Sequence, residues 1–502
     1  MMSRLRNKWL VGAALAALAV PASAETLREA LVKAYATNPT LNAQRANVRA
    51  IDENVPIARA SALPGVQLQS TYNENVVLPV TAFTAPARTS QTQASLTFPL
   101  YAGGAVKNSI AAAETRVEAG RASLRGTEAD LFSAVVGAYM DVIRDEAIVA
   151  LNRQNVKVLD VNLQASKDRF QVGDLTRTDV AQSDARLALA QSQLETAQSR
   201  LITSRESYVR LVGSPPATLE TPPPLPNLPR DPDTAVAIAL EENPTLLAAE
   251  KNRDATKFDI GVARATRLPK LDAVAAGSYT NYFGTLGGFG TGLNPPQYDR
   301  SAQLGLRLTL PLYQGGGPTA RVRQAQARRS QALEQVTETE RAIIAQARSA
   351  YAVWRSSLEV IQSAQVAVSA NALALEGVKA ENSVGNRTIL EILNAEQELL
   401  NSKVTLVTAQ RDAYVAGFAL LAAMGHAEAK DLGLDGGPLY DPVANYKRVR
   451  NTIWDWGNDP APAAVSTSTA QTPAQNADVT RIPDVPVDSN APNPAGVTPR
   501  QK

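Results

Sequence analysis

Hydrophobic and polar residues alternate with a period of two in four short runs of the chain. Leucine and alanine occupy every second position of residues 302–310, with polar residues or glycine between them. Residues 94–98 and 66–72 alternate in the same way, and residues 271–279 do so more weakly. This alternation predicts four β-strands, each with one apolar face and one polar face.

Longer stretches before and after each pair of runs have a helical pattern. They cover about 26–61 and 234–266 before the strands, and about 105–170 and 319–382 after them. A Leu-Pro pair, at Leu63 and again at Leu268, separates the first stretch from the strands. A last helix then ends near Val212 in one half and near Met424 in the other. Helices of about 65 residues are expected to be roughly 100 Å long.

The order of elements repeats because the chain contains two copies of one plan. "TNPTLNAQRA" at 37–46 matches "ENPTLLAAEK" at 242–251, and "LTFPLYAGG" at 96–104 matches "LTLPLYQGG" at 308–316. "QVGDLTRTD" at 171–179 matches "SVGNRTILE" at 383–391, which lies 212 positions later. The NPTL match has an offset of 205 and the LTFPLYAGG match already has one of 212, so an insertion of about seven residues is expected in a loop around 281–297.

These repeats predict the domain organisation of the chain. The first repeat covers 25–213, a stiff Pro-rich linker covers 214–232, and the second repeat covers 233–432. Residues 433–502 form a C-terminal extension. We expect it to be disordered after about 459, where Pro, Ala, Ser, Thr and Asn dominate.

The N-terminus has the features of a signal peptide at residues 1–24. Three cations precede an apolar run at 9–20, and Ala22 and Ala24 precede a cleavage position before Glu25. A retained inner-membrane anchor is the alternative. The chain contains no cysteine, which excludes disulfides and a lipid attached to an N-terminal Cys.

Composition argues against an enzyme and against nucleic-acid binding. The 50 Lys and Arg nearly balance the 48 Asp and Glu, so no basic footprint is present. The single histidine, His426, follows Gly425 at the end of a helical stretch, where it is expected to interact with the helix dipole or with water. Catalytic and phosphate-binding motifs are missing, so we expect no cofactor and no metal.

The predicted export of the chain and the alternation of apolar and polar residues together favour strands that cross a membrane. Leucines would face lipid and polar residues a watery lumen, and each run is near the ~9–11 residues that cross a bilayer. Tyr101 and Tyr313 follow the strands at matched positions and would lie at the membrane interface. Four strands cannot close a barrel, whereas two chains would supply eight and three would supply twelve. An ordinary periplasmic coiled coil, the alternative, does not explain the strands.

Over about 25–432 the sequence resembles the TolC family of outer-membrane efflux and secretion channels. The resemblance rests on the duplicated "NPTL", the Leu-Pro strand entries, the "PLYAGG" and "PLYQGG" exits, and the two Val-Gly turns with Thr and an acidic residue. It implies an α+β membrane protein that forms a homotrimer. A 12-stranded outer-membrane β-barrel, with four strands per chain, would continue into a long periplasmic α-helical barrel.

The resemblance also implies a function and partners. The protein would be the passive exit duct of a tripartite efflux system, in the bacterial outer membrane with a large periplasmic part. A periplasmic adaptor (membrane fusion) protein and an inner-membrane RND or ABC pump would open it. The alternative is the same duct serving type I protein secretion with an ABC transporter.

Finally, the resemblance assigns roles to residues of the two turns. The hairpin tips, which would contact the adaptor, are Gly173, Thr176, Gly385 and Thr388; the glycines would adopt positive φ. Glu391 and Asn394 would form the periplasmic constriction, where Asn394 replaces a family acid. Three Glu391 carboxylates near one axis would raise each other's pKa. A latch that closes the mouth would consist of Thr178, Asp179, Asn382 and Arg387, with Asn382 in place of a family tyrosine.

Overall fold

The structure, a computed structural model, describes residues 24–77, 85–287, 295–434 and 439–479 of the 502-residue chain. The predicted signal peptide lies outside the described residues except for Ala24, and so do parts of both loops between paired strands. The described elements are, in chain order, α1 (Leu27–Thr37), α2 (Pro39–Asp52), α3 (Asn54–Ala60), β1 (Gly65–Glu74), β2 (Arg88–Tyr101), α4 (Ala105–Gln171), α5 (Arg177–Val212), α6 (Pro232–Glu242), α7 (Pro244–Ala265), β3 (Lys270–Asn281), β4 (Tyr298–Thr309), α8 (Gly317–Ser383), α9 (Ile389–Met424) and α10 (Ala444–Val449).

The helical stretch before each pair of strands is interrupted, where the sequence predicted one continuous stretch. Asn38 ends α1 and caps α2, and Asn243 ends α6 and caps α7. The next residue is proline in both cases. It is accepted in the first turn of the new helix, where its missing N–H leaves no hydrogen bond unmade. In the first repeat a further break at Glu53 separates α3 from α2, whereas α7 continues to Ala265.

The four strands form one antiparallel sheet in the order β1-β2-β3-β4. Its register places Val66 opposite Leu96 and Ala273 opposite Leu306, so the apolar positions share one face. Leu304, Leu306 and Leu308 are exposed on that face in the single chain. Strands β1 and β4 are the two edges, and the start of β1 and the end of β4 lie at the edge of the sheet where the helices attach.

Each repeat continues from the sheet into a helical hairpin with one long and one shorter helix. The long helices α4 and α8 have 67 residues each, and the returning helices α5 and α9 have 36 each. At 1.5 Å per residue, a long helix is roughly 100 Å long. The main core lies where α1, α2, α4, α5 and α9 meet, around Phe132, Tyr139 and Tyr208. The long helices predicted from the sequence are therefore present, with ends within two residues of the expected ones.

Helix α8 contains an 18-residue window apolar enough to cross a membrane by length and composition, with a mean hydropathy of 1.2. Only 11% of this window is buried in the single chain. The whole helix is more than three times as long as the ~30 Å hydrocarbon core of a bilayer is thick. The window is thus one part of a longer helix that pairs with α9.

The described part of the C-terminal extension contacts the helices. The disorder predicted after about 459 stays a prediction, and residues 480–502 lie outside the described residues. Residues 459–479 contain no helix or strand, but they bind other elements at several points. Arg448 pairs with Asp459, the Asn42 amide donates to Ser466 at 3.0 Å, and Arg205 donates to the Asn476 carbonyl at 2.7 Å. The segment has no core of its own and lies against the surface of α2 and α5.

Candidate functional site: the two hairpin tips

The two Val-Gly turns reverse the chain with the same backbone geometry. Gly173 and Gly385 have φ of 82° and 81°, a conformation that costs a residue with a side chain about 1–2 kcal/mol. In each turn the residue after the glycine donates its N–H to a carbonyl in the last helical turn: Asp174 to Arg169 at 2.9 Å and Asn386 to Glu381 at 3.0 Å. The positive φ predicted for both glycines is confirmed. The duplicated motif therefore encodes one helix-ending turn used twice.

The threonine and the acidic residue of each motif cap the returning helix. Asp179 accepts hydrogen bonds from the Thr176 N–H at 2.9 Å and from the Thr176 hydroxyl at 2.7 Å. These bonds, the hydroxyl first, lower the pKa of Asp179 below its usual value. In the second turn, Glu391 accepts from the Thr388 N–H at 2.8 Å. The spacing Thr-x-x-Asp/Glu is the sequence signature of such a cap, and the roles assigned from resemblance left it out.

Arg387 binds two carboxylates of its own turn. Its guanidinium pairs with Glu381 and with Glu391, the latter at 2.8 Å. These two acids, Glu381 first, raise the pKa of Arg387. The Thr388 N–H and then Arg387 lower the pKa of Glu391. Repulsion between three copies of Glu391 is expected to raise its pKa. Within one chain the pKa is lowered instead, because the Thr388 N–H and the Arg387 guanidinium lie closest to the carboxylate.

The four residues predicted to form a latch lie at the two tips of the chain. Asn382 donates from its side-chain amide to the Arg387 carbonyl at 2.7 Å, so it stabilises its own turn. Thr178 is exposed, and Asp179 bonds to Thr176. The hydrogen bonds described for the Arg387 side chain go to Glu381 and Glu391. A contact between Arg387 and Thr178 therefore stays a prediction about neighbouring chains.

A residue outside every motif joins the two hairpins near their tips. Arg186 on α5 donates to the side-chain oxygen of Asn394 on α9 at 2.7 Å. Just beside it, Leu393 is buried against Leu159, Leu163 and Leu187 of the first hairpin. Sequence analysis placed Asn394 at the constriction and missed Arg186. The 212-residue offset gives no signal for this contact, because it aligns Arg186 with Glu398 and not with Asn394.

The interface tyrosines lie at the opposite end of the hairpins, at the sheet edge. Tyr101 is the last residue of β2 and Tyr313 follows the end of β4; both side chains are at least half exposed. Their position at a membrane interface stays a prediction. In the described parts of the chain, no group of three or more His, Cys, Asp or Glu residues could hold a metal ion. His426, past the end of α9, lies 2.9 Å from a carboxylate oxygen of Glu242.

Comparison with known proteins identifies relatives along almost the whole chain. The family model "Outer membrane efflux protein" matches residues 30–214 and 235–426. The outer membrane efflux protein BepC of Brucella suis is 34% identical over 430 residues, which is 86% of this chain and 91% of BepC. The outer membrane protein TolC of Escherichia coli is 26% identical over 92% of this chain and 97% of TolC.

Two further comparisons bear on secretion and on the fold. The alkaline protease secretion protein AprF of Pseudomonas aeruginosa is 27% identical over 62% of this chain and 64% of AprF. The Campylobacter jejuni CmeC outer membrane channel has the same fold, with a TM-score of 0.71 at 15% identity, over 85% of this chain and 89% of CmeC. The family resemblance, the TolC-like channel fold and the outer-membrane location predicted from the sequence are confirmed.

The two matched segments of the family model fall on the two repeats, each of which carries a pair of strands and a helical hairpin. The prediction that the protein is not an enzyme is confirmed by the same matches, since the family and its relatives are efflux channels. The chain belongs to the outer membrane efflux protein family.

Proposed function

We propose that three copies of the chain assemble into a passive exit duct. The observation that carries the proposal is the open four-stranded sheet with an exposed apolar face. Leu304 and Leu306 are 86% and 70% exposed there, and β1 and β4 leave two unpaired edges. An open edge with exposed leucines is costly in water and in lipid. Joining β1 of one chain to β4 of the next removes both edges, and three chains supply twelve strands.

The helices support the same assembly. In α4, 25 of 67 residues are buried within the chain, but in α8 only 10 of 67 are. Val353 and Val360 are exposed seven residues apart on one side of α8, and Val366 and Leu373 are exposed seven residues apart on a second side, because the six-residue step between the pairs turns the helix by about 120°. Helices of neighbouring chains would cover these two sides, and the wall of helices would then enclose a duct below the barrel.

The tips form the mouth of this duct in the proposal. Glu391 and Asn394 lie one helical turn apart on α9, so three chains would place rings of both residues around the axis. Contacts of Thr178, Asp179, Asn382 and Arg387 with neighbouring tips would hold the mouth closed. A periplasmic adaptor bound at the tips around Gly173, Thr176, Gly385 and Thr388, and an inner-membrane RND or ABC pump behind it, would open the mouth and supply the energy.

Single-channel recording of the mature protein in planar bilayers tests the proposal. We expect small, cation-selective openings, and a loss of cation selectivity in Glu391→Ala because the ring of carboxylates is removed. Glu376→Ala is the matched control, since it removes an exposed carboxylate from α8 of the same hairpin. If Glu391→Ala and Glu376→Ala conduct alike, Glu391 does not form the constriction. If folded protein gives no channel at all, the duct itself is rejected.

Export of protein by the same duct is the second candidate, supported by the similarity to the alkaline protease secretion protein AprF. The two candidates differ in the pump. A photo-crosslinking residue at position 388 in living cells would capture the adaptor. The identity of the pump that purifies with the adaptor then distinguishes efflux from protein secretion. A proton-driven RND pump supports efflux, whereas an ABC transporter together with a secreted protein substrate supports type I secretion.

A further inference from the structure

The described residues 439–479 of the C-terminal extension form a hairpin-shaped strap that runs toward the sheet and back again. In the first arm of the strap, the contacts move along the N-terminal helices toward β1: Tyr440 with Tyr35, Asn445 with Asp52, and Arg450 with Arg59. In the second arm, the contacts move away from the sheet: Asp459 with Arg448, Ser466 with Asn42, and Gln475 with Glu206. Residues 451–458 are therefore the turn of the strap at the end nearest the sheet.

This turn is fixed at its base. Arg59, in the last turn of α3, donates to the Arg450 carbonyl at 2.9 Å and to the Asn451 side chain at 2.6 Å. Arg448 holds both oxygens of Asp459, at 2.8 and 2.9 Å, and so joins the two ends of the turn. An unattached tail would sample many positions, whereas this turn is presented in one place.

Large apolar side chains occupy the turn and point into solvent. Ile453 is 75% exposed, Trp454 70% and Trp456 82%. Asp455 between them, and Lys447 and Arg450 at the base, are exposed as well. Tryptophan combines a large apolar ring with one N–H donor, and it is enriched where a membrane meets water. Lys and Arg beside it can contact lipid phosphates.

The height of the turn matches the sheet edge. The guanidinium of Arg59 lies 3.8 Å from Glu114, which is nine residues into α4 from its first residue, Ala105. Nine helical residues span about 14 Å. The three residues from Asn451 to Trp454 can extend by about 10 Å. When residues 451–454 extend toward the sheet, Trp454 can reach to within several Å of the level of the strand ends, which is comparable with the ~5–7 Å thickness of a headgroup layer.

We infer that Ile453, Trp454 and Trp456 bind the periplasmic leaflet of the outer membrane and anchor the channel at its interface. The inference rests on the proposed insertion of the sheet into a bilayer, whose exposed apolar face continues toward the turn through Val66 and Leu68 of β1. The occupant is a lipid surface because the turn lies beside the lipid-facing edge and presents tryptophan and cations together. The chain has no cysteine to carry a lipid, and this turn supplies a non-covalent interfacial anchor.

Tryptophan fluorescence of the full-length mature trimer in liposomes tests the inference directly. The sequence has four tryptophans, and Trp9 is lost with the predicted signal peptide. Trp354→Phe leaves only Trp454 and Trp456, whereas Trp454→Phe/Trp456→Phe leaves only Trp354, which packs against Tyr351. Emission is compared between vesicles of phosphatidylcholine and vesicles of the same lipid brominated near the headgroup, because bromine quenches tryptophan on contact.

We expect bromine to reduce the emission of Trp354→Phe strongly and that of Trp454→Phe/Trp456→Phe little. Leu306→Trp in a background with all three tryptophans changed to Phe reports on the lipid-facing strand β4. If Leu306→Trp is quenched but Trp454 and Trp456 are not, the sheet is in the bilayer and the anchor is rejected. Acrylamide then shows whether water or another subunit surrounds the turn. If neither is quenched, the membrane placement of the sheet fails as well.

Discussion

The side-chain amide of Asn243 donates a hydrogen bond of 2.9 Å to the backbone carbonyl of Ala423, at the end of α9. Its side-chain oxygen accepts from the Thr245 N–H at 2.9 Å and so caps α7. Asn38 repeats both contacts in the first half of the chain, with the Leu211 carbonyl at 3.0 Å and the Thr40 N–H at 2.9 Å. The duplicated "NPTL" motif thus joins the start of one helix to the end of each hairpin.

Asn243→Ala is expected to destabilise the second repeat by roughly 2–4 kcal/mol. Loss of an N-cap costs about 1 kcal/mol, and the buried Ala423 carbonyl left without its donor costs about 1–3 kcal/mol more. Asn243→Ser keeps an oxygen for the cap and removes the amide, so its midpoint should fall between those of Asn243→Ala and wild type. Thermal unfolding in detergent gives the midpoints of the three proteins and so their order of stability. Equal midpoints for Asn243→Ala and wild type would show that the contact contributes nothing.

Arg186 and Asn394 give a prediction about the proposed mouth. In the single chain their 2.7 Å hydrogen bond holds α5 against α9. Asn394→Asp would turn this bond into an exposed ion pair, which contributes about 0.2–1 kcal/mol. The open fraction should fall by up to about fivefold, and Arg186→Ala should raise it. Single-channel open probability is the measurement.

The double variant Arg186→Ala/Asn394→Asp provides the control for this pair. Without Arg186 the new carboxylate has lost its partner, so the decrease caused by Asn394→Asp should disappear. A decrease of the same size with and without Arg186 would mean that the two side chains are not coupled.

The cap at Glu391 predicts a pH dependence of the second tip. Its pKa lies below the usual 4.5, because the Thr388 N–H and Arg387 stabilise the carboxylate. A carboxyl group whose pKa is lower in the folded protein stabilises the fold at pH values above its ordinary pKa. That stabilisation is lost as the pH falls through the lowered pKa. The turn should therefore loosen as the pH falls below the ordinary value of 4.5, through the lowered pKa of Glu391, and should stay unchanged between about pH 5 and pH 8.

A spin label at Asn386→Cys measures this loosening, since the chain has no other cysteine. Label mobility should increase in acid, and the increase should be much smaller with Glu391→Gln, which keeps an acceptor for the Thr388 N–H and does not titrate. A label at the exposed Gln335 of α8 is the control for general acid effects. An equal response of wild type and Glu391→Gln would assign the change to another group.

The sequence allowed prediction of what depends on local periodicity and backbone conformation. The strands around residues 66–72 and 302–310, the long helices, and the positive φ of Gly173 and Gly385 all belong to this class. Each follows from a short window of residues, because a period of two, a helical pattern or a glycine after a helix limits the local backbone.

Contacts between distant elements could not be predicted in this way. Arg186 is one of many charged residues on α5, and only the fold brings it to Asn394, 208 positions away. Leu393 looks like any apolar residue of α9 until the first hairpin covers it. Residues 459–479 have too few apolar residues for a core, and their contacts are with surfaces that other elements provide.

Arg205 decides whether the end of the strap is held in place. Its guanidinium pairs with Glu146 at 2.7 Å and donates to the carbonyls of Asn476 and Asp478 at 2.7 and 2.9 Å, with Ala477 packed against the core. A hydrogen bond to a charged group contributes about 1.5–3 kcal/mol, so Arg205→Ala should raise the open population of the strap by more than tenfold.

A non-specific protease cleaves the open form, so initial cleavage within 460–479 should accelerate by the same factor. Arg200→Ala, an exposed position on the same helix, is the matched control and should cleave at the wild-type rate. Fast cleavage of wild type at the rate of Arg205→Ala would mean that the strap is disordered, as its composition suggests. Slow cleavage of both would assign the order of the strap to its apolar contacts and to Glu206, which accepts from the Gln475 N–H at 3.0 Å.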